Sequence, residues 1–338
     1  MLREMEPIKK HNKISMIMLS LIIILFIVCI LSLSTGRYKI SVRDVLKAFF
    51  VGGQVNAQAI NVLFKIRAPR ILGAVLVGAA LALSGAIYQG LFHNPLVSQD
   101  LLGVSAGSTV GASVAILLGF HHLGIMVSSL ITGIVAVIIT VALSKLIRIN
   151  GTLTLVLAGI IVGGVFNSLQ GVLKYIADPE SQLAAITFWT LGSLADLRTS
   201  ELNLIVIPMV VSIVFVFLLR WRVNVLSNHQ AEESRIFSDS IAKYLLILFA
   251  TLLTSCAVSI SGTINWIGLV TPHIARSLIG TDHRKMLPIC ALIGSIFLVV
   301  IDTFARSLSA TEIPLGILTG LLGAPLYMWI LFSQKGTV

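Results

Sequence analysis

The chain has 338 residues, 57% hydrophobic and 11% charged, with a net charge of +10 and a mean hydropathy of +1.00. Soluble domains carry roughly 25% charged residues, so the composition excludes an ordinary soluble enzyme and indicates an all-α polytopic membrane protein. The positive balance does not point to nucleic acid, because basic residues flanking apolar spans orient them and meet anionic lipid.

The basic tail 1–13, with Arg3, Lys9, Lys10 and Lys13, precedes an apolar run at 14–33. About 20 apolar residues cross a ~30 Å hydrocarbon core. The run is too long for a cleavable signal peptide, and "SLSTGRYK" is a poor cleavage site. It reads as a retained first span with its N-terminus inside. The polar stretch 34–70 follows as an outer loop, ending in "FKIRAPRILG" with Lys65, Arg67 and Arg70. Nine further spans are expected at 71–91, 103–119, 123–143, 153–176, 203–220, 243–260, 264–279, 286–307 and 314–333. The one at 264–279 is short and holds Pro272, His273 and Arg276. "LAAITFWTLGSL" at 183–194 is too short to cross and reads as a re-entrant or interfacial helix covered by protein.

Ten spans return the C-terminus to the inside. Fourteen Lys and Arg then lie inside and ten outside, seven of the ten in the loop 34–70 alone. That loop breaks the positive-inside trend, so its cations need another explanation. Small residues at four-residue spacing, as in "GAVLVGAALALSGA", let helices approach closely in lipid. Ser84-Gly85, Ile87, Pro95 and Gly103 recur 177 residues later as Ser261-Gly262, Ile264, Pro272 and Gly280. Five spans separate the copies, as in the inverted repeats of transporters.

Reactive constellations are absent from the sequence. There is no P-loop, no His-Glu-x-x-His and no Gly-x-Ser-x-Gly. Cys29, Cys256 and Cys290 lie inside apolar runs and read as small hydrophobes. His121-His122 reads as a solvated turn. Asp302 stands four residues before Arg306, the spacing of a local ion pair rather than of a proton-coupling carboxylate. The chain therefore shows no energy source of its own. Its largest inner polar segment is 220–242, where Glu232, Glu233, Arg235 and Asp239 surround Ile236-Phe237. Apolar residues in a polar loop suggest docking on a soluble partner.

Five long stretches in order resemble the permease family of bacterial ABC importers for ferric siderophores, haem and cobalamin. They are 66–112 ("IRAPRILGAVLVGAALALSGAIYQGLFHNPLVSQDLLGVSAGSTVGA"), 157–169 with 177–194, 262–288, 301–308 and 311–331. The resemblance implies one permease domain over 1–338, with ten helices in an inverted-repeat type II fold, in the bacterial cytoplasmic membrane with both termini inside. It implies no cofactor in this chain, ATP and magnesium being bound by two separate cytoplasmic ATPase subunits. The implied cargo is an iron chelate, with cobalamin or haem as the alternative. An ion-coupled secondary transporter is the remote alternative.

The other implied partners are a second permease subunit and an extracytoplasmic substrate-binding protein. Arg67, Arg70 and Arg306 match the family's arginines that receive that protein's carboxylates. The segment 220–242 matches the ATPase-coupling loop. Where familiar members carry a Leu-Gly pair and a later glycine, this chain has Asn228-His229 and Ser238, a departure that favours a non-identical second permease.

Overall fold

The computed structural model describes residues 2–50, 56–147, 152–227, 237–309 and 311–334, and these contain helices and no strand. In chain order they are α1 (Leu2–Ser34), α2 (Val42–Phe50) and α3 (Ala57–Asn61), then a π-helical turn (Val62–Arg67) leading into α4 (Ala68–Leu91). Next come α5 (Val104–Leu117), α6 (His122–Leu146), α7 (Thr152–Ile176), α8 (Gln182–Leu191) and α9 (Thr199–Leu226). The last four are α10 (Phe237–Ser261), α11 (Ile267–Ile279), α12 (His283–Ala305) and α13 (Leu315–Gln334).

Seven of these segments are long and apolar enough to cross a membrane, contributed by α1, α4, α6, α7, α9, α10 and α12. The spans expected at 103–119, 264–279 and 314–333 form shorter apolar helices, as does the 183–194 piece. Local chemistry shapes several helices. Pro69 lies just after the π-helical turn inside a continuous helical run from Ala57 to Leu91, where the altered hydrogen-bond spacing accommodates its missing N–H. Glu201 accepts from the Arg198 amide at 2.8 Å and satisfies a donor at the start of α9. Asp282 accepts from the Arg284 amide at 3.0 Å and caps α12.

α4 is the spine, packed against α1, α9, α10, α11 and α12. Glycine permits two of these crossings. A methyl built on Gly78 would overlap the Gly294 carbonyl of α12, and one on Gly85 would overlap the Gly268 carbonyl of α11. Backbone therefore meets backbone, which maximises dispersion contact where no hydrophobic force drives helices together in lipid.

The order long, short, long occurs twice, in α4–α6 and again in α10–α12. The two series run oppositely. α4 begins where α10 ends, since Gly73 packs on Leu197 and the nearby Ser193 amide donates to Ser261 O at 2.8 Å. The 177-residue offset is not the register of this repetition. Gly85 lies inside α4, whereas Gly262, with φ +65°, follows the end of α10.

Candidate functional site

At one end of the bundle, Arg67, Arg70 and Arg306 come together from three elements and are 4%, 5% and 6% exposed. They turn inward. Arg70 Nε donates to both Asp302 oxygens at 2.9 and 3.1 Å, and its Nη1 donates to Glu312 Oε1 at 2.8 Å. Its Nη2 lies 2.8 Å from Asp302 Oδ1 and 2.8 Å from Glu312 Oε2, so one planar guanidinium holds two carboxylates as a fork.

Arg67 donates to Leu33 O at 2.5 Å and Tyr38 O at 2.6 Å. Arg306 donates to Thr35 O at 2.9 Å, to Ser32 Oγ at 2.6 Å, and to Ser32 O. These two cations thus satisfy carbonyls left open at the end of α1, the favourable sign for a helix C-terminus. The Asp302–Arg306 pair read from the sequence is present at 3.7 Å, but Arg70 is the nearer partner of Asp302.

Gly36, at φ +145°, lets this corner close. A Cβ there would stand 2.6 Å from Arg67 Nη2 in a backbone region that L-residues avoid. Gly36→Ala is expected to lower the thermal midpoint of the purified protein while Gly119→Ala, built in open space but at φ +71°, reports the backbone cost alone. Equal losses in the two variants would show that the Arg67 contact contributes nothing.

A cavity of about 840 Å³ opens beside α5, α7 and the α10–α11 connection. Its wall includes Ser105 and Thr109 of α5, and Gly163, Asn167, Gln170 and Lys174 of α7. Asp100, in the α4–α5 connection, accepts from Ser105 Oγ and from Gln99 Nε2 at 3.2 Å. Burial pushes its carboxyl up to about 6, against the pull of the Ser105 hydroxyl.

The opposite end is tied by a small hub. Asn224, near the end of α9, donates to Asp282 Oδ1 at 2.7 Å and accepts from the His283 amide at 2.8 Å and its Nδ1 at 2.9 Å. Burial acts to raise the Asp282 carboxyl pKa. The Asn224 amide, the Arg284 N–H and Lys285 outweigh it and hold the carboxyl below its usual range. A carboxylate depressed in the fold stabilises above its unfolded pKa of about 3.9 and loses that contribution as pH falls through the folded value. Thermal stability should therefore drop below about pH 4, and Asn224→Leu should flatten that drop. An unchanged pH profile in Asn224→Leu would remove the amide as its cause.

Glu232, Glu233 and Arg235 lie outside the described residues, while Ser238 belongs to the first turn of α10. Residues that the sequence reading passed over include Glu312, the half-exposed acid on Arg70, and the polar stripe of α7. A carboxylate in the short connection before the last span was the available signal for the first. For the second it was Asn167, Gln170 and Lys174 at helical spacing.

Comparison with known proteins places this architecture. The chain is 37% identical to the molybdate import system permease protein of Haemophilus influenzae over 94% of this chain and 96% of that one. It is 36% identical to the hemin transport system permease protein of Yersinia pestis, over 93% and 95%. A solved structure described as an inward-facing conformation of a metal-chelate type ABC transporter superposes with a TM-score of 0.85 at 36% identity. That match covers 94% of this chain and 99% of the other. Like these relatives the chain is a permease subunit rather than an enzyme, and ATP hydrolysis resides on a separate subunit. Residues 23–333 match the FecCD transport family, and the chain belongs to it.

Proposed function

We propose that the chain is the transmembrane subunit of an ATP-driven importer that carries an iron chelate across a bacterial cytoplasmic membrane by alternating access. It would work beside a second permease subunit, the same or non-identical, above two ATPases that bind ATP and magnesium, and would hold no cofactor itself. The observation that carries this reading is the cavity. Its volume of about 840 Å³ falls within the ~300–1,000 Å³ of sites for drug-sized ligands, far more than a bare ion fills. Haem, and the bulkier cobalamin, are also metal chelates and stay within the reading. The molybdate relative favours a second one, in which the cargo is a small oxyanion.

In this arrangement α5, α11 and α13 complete ten spans, α8 is a re-entrant helix, and both termini are cytoplasmic. The end bearing Arg67, Arg70 and Arg306 faces outward to the binding protein. Exposed Arg37, Lys39, Arg43 and Lys65 supply long-range attraction to an acidic partner. Glu312, with 33% of its side chain exposed, is the carboxylate that a partner's acid would replace on Arg70. Glu312→Gln should therefore strengthen docking of the binding protein on nanodisc-held transporter. Weaker or unchanged docking would count against the exchange. The segment 220–242, with Glu232, Glu233, Arg235 and Ser238, is the coupling element.

Proteoliposomes holding the complete assembly test the whole reading. ATP-driven accumulation of radiolabelled iron chelate, insensitive to a protonophore, is the expected result. Accumulation of molybdate instead would select the second reading. Uptake that survives without the ATPase would sink both.

A further inference from the structure

We infer that the cargo crosses as an oxygen-rich anion and that one face of α7 selects for its charge. This rests on the importer reading and names the cargo class of the same cavity.

Gly163, Asn167, Gln170, Gly171 and Lys174 share one stripe of α7. The stripe changes character along its length. Gly163 belongs to its lower part, while a Cβ on Gly164 or Gly171 would meet nothing within 4 Å, so the face is open to a ligand rather than packed. Above Gly163 stand two amides and an ammonium. Gln170 is only 7% exposed, and Ser113 Oγ fixes its Oε1 at 3.0 Å. Its Nε2 has no hydrogen-bond partner among the described residues. A buried donor without an acceptor is rare in folded proteins, and this one belongs to a residue lining the cavity.

Lys174, half-buried one turn further along, has no ion pair among the described residues. The wall's own carboxylate, Asp100, is already engaged by Ser105 and Gln99. Along the α7 stripe the groups without a partner among the described residues are thus the Gln170 Nε2 donor and the Lys174 cation, while Asn167 can donate or accept. Carboxylate or catecholate oxygens of a ferric chelate would accept from Asn167, and from Gln170 once its buried amide turns into the cavity, while the ammonium offsets the anion's charge. Lys174 in the last turn also meets the negative end of the helix dipole, but that role does not call for two amides on the same face below it.

The test reads the cavity without cargo. In a background with Cys29, Cys256 and Cys290 replaced, Asn167→Cys is reacted in nanodiscs with an anionic sulfonate and a cationic trimethylammonium thiosulfonate. Rates are normalised to a free thiol. The anionic reagent should react several-fold faster, Lys174→Glu should reverse the ratio, and Lys174→Arg should preserve it. A ratio that favours the cation, or that Lys174→Glu leaves unmoved, overturns the inference while leaving the importer reading intact.

In the complete assembly, ATP-driven uptake of iron as a trianionic tris-catecholate complex should fall several-fold in Lys174→Glu and persist in Lys174→Arg. Equal uptake in both variants would also overturn it. Absence of ATP-driven uptake of any iron chelate by the native assembly would sink the importer reading and the cargo claim with it, whatever the thiol ratio.

Discussion

Arg70→Met should unfold much of the protein at temperatures the native chain withstands. Asp302, with 1% of its side chain exposed, would keep only the longer contact to Arg306 at 3.7 Å. Removing one partner of a buried ion pair typically costs about 3–5 kcal/mol, because the remaining charge is left uncompensated. Lysine is not a substitute, since an ammonium cannot hold Asp302 and Glu312 together as the planar fork does. The double variant Arg70→Met with Asp302→Leu removes both charges and should recover most of the thermal midpoint. A purely docking role for Arg70 predicts something else: a native midpoint with loss of binding-protein affinity alone. Thermal unfolding of the purified variants, followed beside their docking affinity, separates the two. A midpoint unchanged in Arg70→Met would rule out the structural role of the cluster.

The same substitution at two classes of glycine should give opposite results. Gly85→Val places a branched side chain against the Gly268 carbonyl, where the obstacle is backbone and cannot rotate away. Overpacking a tight core costs about 1–3 kcal/mol and more when nothing can yield, so little monodisperse protein should be recovered. Gly78→Val should behave alike against Gly294. Gly164→Val and Gly171→Val enter open space and should leave yield and thermal midpoint near native, while the narrowed cavity reduces transport. Chromatographic yield and midpoint decide the outcome. Equal recovery of Gly85→Val and Gly164→Val would mean that the α4–α11 crossing is not sealed by backbone contact.

These glycines also show where sequence reading stops. "GAVLVGAALALSGA" and "LAGIIVGGVFNS" have the same texture, and both read as close helix packing. The first is that: Gly78 and Gly85 each meet another helix's backbone. In the second, Gly163 and Gly164 line a cavity. Texture reports small size, and only the placement of neighbouring helices says whether the space is filled.

The long apolar runs were legible because hydrocarbon thickness fixes their length, and apart from α1, which begins at Leu2 rather than 14, the helices they form start within about six residues of the expected positions. The arginines were legible as a cluster out of place. Their inward turn was not, because Arg70 finds its carboxylates 232 and 242 residues away. The Asn224–Asp282 hub spans 58 residues for the same reason. Inverted repetition was legible in kind but not in register, since short motifs in glycine-rich helices match at many offsets.

The spine and the cavity wall differ in how firmly they are held. The span ending in α4 is 78% buried and the one formed by α7 only 28%. Where α4 meets its neighbours backbone to backbone, at Gly78 and Gly85, no side chain can yield, so the helix behaves as a stator, moving as a rigid body or not at all. In the importer reading, a cycle of opening and closing would then fall to the less buried helices, α7 among them.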